Sequence, residues 1–172
     1  MSSPLRPSQL WKRLPADPKR QAAEAFWRDE NAAIEQAEAI GAIAQRIRFR
    51  LKSVYAMPPE KKVQQLLALP VVSEAVAARL LVAYHLEHQR PMMGRFLDAL
   101  GIAHEDGLIA EETLTPPPPE RLRAGADILA ASFHADAVSL YFSTLLWQDP
   151  DTWGALAELP HVGEASPSAQ RS

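Results

Sequence analysis

Hydrophobic positions recur at helical spacing along this 172-residue chain, and prolines divide them into segments. After Asp17-Pro18, read as an N-cap followed by proline at the first helical position, no proline intervenes until Pro58. Within that run Phe26, Ala33, Ile40, Ile47 and Val54 fall seven residues apart, with Ala37, Ala44 and Leu51 as a second row. The spacing predicts one helix over 17–56, about 55–60 Å long, carrying a continuous apolar seam. Pro58-Pro59 ends it, and Gly41 is its candidate kink. Three helices are then expected: 60–69, a Ser73-capped one to about Gln89, and 92–100, closed by Gly101-Ile102 as a left-handed C-cap. Residues 103–119 read as a loop ending in polyproline II at Pro116 to Pro119. Helices at 120–132, from Asp136 to about Trp147, and from Asp149-Pro150 to Leu159 complete the pattern. The proline-broken stretch 1–16 reads as a flexible basic arm and 161–172 as a disordered tail.

The segments 57–102 and 120–160 match in order: short helix, longer helix, then a short helix opened by proline. Leu66-Leu67 and Ala75-Val76 precede Ile128-Leu129 and Ala137-Val138 by 62 residues, and Pro91, Leu97 and Leu100 precede Pro150, Leu156 and Leu159 by 59. The expected fold is therefore all-α, one domain over 17–160. Its long N-terminal helix would pack on two similar three-helix units, either in a layout that resembles HEAT and armadillo repeats or as a compact helical bundle.

Composition agrees with helix. The chain holds 29 alanines and 21 leucines against 19 residues of valine, isoleucine and threonine together. A 47% hydrophobic content excludes a wholly disordered chain, and the absence of cysteine excludes a disulfide scaffold and a thiol nucleophile. No window supplies the roughly 20 apolar residues of a membrane span. The N-terminus lacks the apolar core of a secretory signal, so a cytoplasmic protein with no membrane partner is expected. Charge is uneven: residues 1–102 carry fifteen Lys/Arg and ten Asp/Glu, whereas residues 103–172 carry three and eleven. A basic half and an acidic half can attract one another head to tail between molecules.

The densest polar cluster is Tyr84, His85, His88, Arg95, Asp98 and His104. His85 and His88 share a helical face, a spacing open to a metal. No His-Glu-x-x-His, no Gly-rich phosphate loop and no Gly-x-Ser-x-Gly turn accompanies them, so no catalytic residue, metal or cofactor is assigned. The segments 6–20 and 46–62 are basic, but a net charge of −3 does not favour nucleic acid as a partner.

The leading expectation is a non-enzymatic interaction or assembly module. It would bind another protein or a second copy through the cluster from Tyr84 to His104 or through the seam. The alternatives are a small helical enzyme or metal-binding protein built on His85, His88 and His104, and a nucleic-acid-associated regulator using 6–20 and 46–62.

Overall fold

The computed structural model of the chain describes residues 5–160; the expected tail, 161–172, and residues 1–4 lie outside them. The described residues form ten α-helices and one hairpin of two two-residue strands, an all-α fold. They divide into two compact units, which meet in sequence at Gln89 and Arg90.

The first unit begins with α1 (Pro7–Arg13), where a flexible arm was expected. Leu10 and Trp11 of α1 are buried, and the apolar contact outweighs the surrounding prolines. Helix α2 (Ala16–Arg28) starts before Asp17, with Pro18 harmlessly inside the first turn, where its missing N–H has no helical partner to lose. The expected continuous helix over 17–56 is instead three helices: α2, α3 (Ala33–Ile47) and α4 (Leu51–Tyr55). The first break is an Asx-type turn. Asp29 Oδ1 accepts from the Asn31 amide at 2.9 Å, and Gln36 Nε2 donates to the carbonyls of Phe26 and Asp29 at 2.8 and 2.9 Å. Arg79 Nε faces Asp29 Oδ2 at 3.1 Å, an ion pair off the angle of a hydrogen bond. The second break is Arg48, whose φ of 57° is left-handed. Between these breaks the seam loses its register: Phe26, Ile40 and Val54 are buried, Ile47 is half-buried and Ala33 is exposed.

Helix α5 (Pro59–Leu67) packs on α2, and α6 (Glu74–His88) packs on α1, α2 and α3. Because α6 meets helices on several sides, its buried set runs from Val76 through Leu81 to His85 and leaves no wide polar face. Ser73 caps it as expected, accepting from the Val76 amide at 3.2 Å. The Glu74 carboxylate accepts from the Ser8 amide at 3.1 Å and from the Ser8 hydroxyl, satisfying a donor in the first turn of α1.

The second unit holds α7 (Arg90–Leu100), the hairpin β1–β2 (His104–Glu105 with Leu108–Ile109), α8 (Pro119–Ser132), α9 (Ala135–Gln148), α10 (Pro150–Trp153) and a 3₁₀ turn, Gly154–Glu158. Its core joins Met92, Phe96, Leu97, Leu122, Leu129, Phe142 and Leu156. Gly101 is left-handed at φ 70°, and Ile102 donates to the Leu97 carbonyl, as expected of that C-cap. Asp149 caps α10 through the Thr152 amide. Four details differ, the first being that the helix expected from Pro150 to Leu159 is α-helical only to Trp153 and 3₁₀ beyond it. The loop over 103–119 contains the hairpin, Pro119 rather than Glu120 opens α8, and His134 rather than Asp136 caps α9. The expected unit 57–102 is divided: α5 and α6 belong to the first compact unit, and α7, which packs on α8, belongs to the second.

Candidate functional site

The polar cluster singled out in the sequence is divided between the two compact units. Tyr84, His85 and His88 lie on α6, while Arg95, Asp98 and His104 lie in the other compact unit. His85 is 3% exposed, its Nδ1 lies 2.7 Å from the Leu81 carbonyl one turn back, and burial lowers its pKa to about 4. An imidazole held neutral on its own helix carbonyl is a core residue. His88 is exposed and its ring lies beside that of Tyr84, 5.7 Å between centroids, while the Tyr84 hydroxyl accepts from Gln89 Nε2.

His104 has both ring nitrogens engaged. Nδ1 accepts from the Gly107 amide at 3.0 Å, so Nε2 carries the proton and donates to Asp98 Oδ1 at 2.6 Å. This arrangement leaves no lone pair for a metal or a substrate proton. It clamps the hairpin to α7 instead, with Arg90 Nη1 on the Asp106 carbonyl at 3.3 Å as a second tie. Arg95 is exposed on α7. Among the described residues no three His, Asp or Glu side chains converge where they could hold a metal ion.

The structure brings other residues together in the first unit. Between α2 and α5 lies a cleft of about 610 Å³, within the size range of ligand sites. Trp27, Pro59 and Val63 form its apolar wall, with Arg20, Glu24, Arg28, Glu60 and Lys62 around it. Lys62 sits over the Trp27 ring at 5.7 Å, and Trp27 Nε1 is buried without a hydrogen-bond partner.

Arg46 donates to Gln65 on α5 at 3.5 Å and begins a second feature, the strip 46–55. The left-handed turn at Arg48 keeps Phe49, Leu51 and Tyr55 at the surface, each more than half exposed. Arg46, Arg48, Arg50 and Lys52 alternate with these side chains, and no acidic residue occurs between Glu38 and Glu60. Among the described residues none of these four cations forms an ion pair. Trp27, Phe49 and Tyr55 did not stand out in the sequence, and Leu51 was read as part of the seam's second row rather than as an exposed side chain. The period-two alternation of cation and apolar residue, inside a run read as helix, was the available signal.

No helix among the described residues is long and apolar enough to cross a membrane. The fold thus defines the class, all-α, and goes no further: no family model, curated protein or solved structure matches this chain.

Proposed function

We propose that this chain is a protein-interaction module without chemistry of its own, working in the cytoplasm, and that it takes an acidic, apolar-bearing segment of a partner protein on strip 46–55 and the adjoining α2–α5 cleft. The observation that carries the reading is the strip itself. Three large apolar side chains stand in water among four cations that form no ion pair among the described residues. An exposed apolar group rimmed by charge is the make-up of an interaction surface. Cations that form no ion pair among the described residues favour an acidic ligand and speed its encounter.

The test is an amide NMR titration with a short peptide alternating Glu and Leu, against the same peptide with Lys for Glu. The Glu peptide should shift amides in α2, α4 and α5 and bind more weakly as salt rises; the Lys peptide should not bind. The double variant Arg50→Glu, Lys52→Glu should bind about tenfold more weakly at unchanged helicity, since each cross-surface pair contributes a few tenths to 1 kcal/mol. Equal binding of both peptides, or of neither, overturns the reading. Phe49 and Tyr55 beside these cations also suit stacked bases, the arrangement of a single-strand binder. Tight, salt-sensitive binding of oligothymidylate with no response to the Glu peptide would select that alternative.

A further inference from the structure

The second unit carries a surface of the opposite kind. Hairpin β1–β2 and the chain after it expose Leu108 and Ile109, 42% and 36% accessible, among Glu105, Asp106, Glu111 and Glu112. No lysine or arginine occurs from Ala103 to Glu120. This surface is held ready. Gly107 is left-handed at φ 85°, where a Cβ would meet the Arg90 carbonyl and Met93 at 3.0 Å, so the turn lies flat on α7. The His104 bonds to Asp98 and Gly107, and the Arg90 bond to Asp106, fix the hairpin from two sides.

We infer that the partner segment is the hairpin 104–112 of a second copy of this chain, seated on strip 46–55. This rests on the interaction reading above and names its occupant. The match is chemical. Four cations among Phe49, Leu51 and Tyr55 face the carboxylates of Glu105, Glu111 and Glu112, which flank Leu108 and Ile109, while Asp106 already pairs with Arg90 at 3.6 Å. Apolar contact supplies attraction that survives salt in part, and the charges fix register and exclude the like-with-like pairing of strip on strip or hairpin on hairpin. A hairpin already rigid loses little conformational freedom on docking. Because the two surfaces differ, they pair either reciprocally across a two-fold axis or head to tail. Each copy donates a hairpin and receives one, so assembly closes as a two-fold dimer or a larger ring, or extends as an open chain.

The experiment is sedimentation of the full chain over a concentration series at about 0.05 and about 0.5 M salt, conditions that shorten charge interactions severalfold. Average mass should rise with concentration and fall with salt. One variant carries Arg50→Glu and Lys52→Glu, the other Glu111→Lys and Glu112→Lys; all four positions are exposed. Each alone should associate about tenfold more weakly than the parent chain, and their equimolar mixture should recover association, because one acidic hairpin then meets one basic strip. Circular dichroism checks that both variants keep their helicity. A parent chain that stays monomeric throughout overturns the inference, as does association indifferent to both variants. If that monomer still binds the Glu peptide, only the second-copy assignment falls; if it binds neither, the interaction reading falls with it.

Discussion

His85 and Glu74 sit on the same helix and tie its stability to pH in separate ranges. Burial lowers the His85 pKa from 6.5 to about 4, so the unfolded chain takes up the proton first. Stability from the neutral ring is complete above pH 6.5 and declines as pH falls toward 4, by at most about 3 kcal/mol at 1.36 kcal/mol per unit. His85→Leu fills a similar volume without a titrating group. Urea unfolding at pH 7 and pH 4.5 should show the parent chain losing about 2–3 kcal/mol more than the variant between the two. Equal losses would mean that the ring is hydrated in the folded chain. The hydroxyl and amide of Ser8 hold the Glu74 pKa below its ordinary 4.5, so this carboxylate stabilises above that value and its contribution is lost as pH falls through the lowered one. Glu74→Gln should therefore flatten the acid limb that remains in His85→Leu, and two superimposed acid limbs would remove the Ser8 bonds from the account.

Among the elements, the α7–α8 contact sets a local rule against helix propensity. Gly125 lies inside α8, where alanine would be favoured by about 1 kcal/mol. A Cβ there would meet Phe96 Cε2 at 3.0 Å, and Phe96 cannot retreat, being fully buried with the rings of Phe142, Tyr141 and Trp153 5.0 to 6.0 Å away. Overpacking of this kind costs about 1–3 kcal/mol, so Gly125→Ala should lower stability by up to about 2 kcal/mol despite the better helix former. A variant that melts higher than the parent would show that α7 and α8 can move apart.

The same balance of local against tertiary terms explains what the sequence disclosed. Caps were readable because Ser73, Gly101 and Asp149 act on their own backbone within a few residues. The breaks at Asp29 and Arg48 were not, because the heptad row from Phe26 to Val54 continues through both. Asp29-Glu30-Asn31 has turn chemistry, but what holds the joint is Gln36 and Arg79, and Arg79 is fifty residues away in the chain. Arg48 carries no local mark of a left-handed residue, since glycine or asparagine usually fills that position. The polar cluster was visible as residue types, yet Tyr84 to His88 and Arg95 to His104 fall in different compact units, a division that spacing does not encode. The charge asymmetry was legible from counting. Its local form, an exposed basic strip and an acidic hairpin, needed the accessibility of Phe49, Leu51, Leu108 and Ile109.

At the scale of the molecule, each compact unit closes its own core, and one substitution in each can weigh them separately. Phe26 and Phe142 are both fully buried, the first on α2 and the second on α9. Truncating either to alanine removes the same side chain and should cost about 3–5 kcal/mol where the site cannot collapse. The readouts should differ by place. Native-state hydrogen exchange of Phe26→Ala should accelerate amides of α2, α5 and α6, and that of Phe142→Ala those of α7, α8 and α9. Uniform acceleration across all ten helices in both variants would show one cooperative structure and refute separate cores. The same pair separates the two surfaces. Strip 46–55 belongs to the unit whose core contains Phe26, so Phe26→Ala should weaken binding of the Glu/Leu peptide by about the fraction of molecules with α2 opened. Phe142→Ala should leave peptide binding intact while loosening the unit that carries the hairpin. Its self-association should fall although its strip still binds peptide, a split that no general loss of folded protein produces.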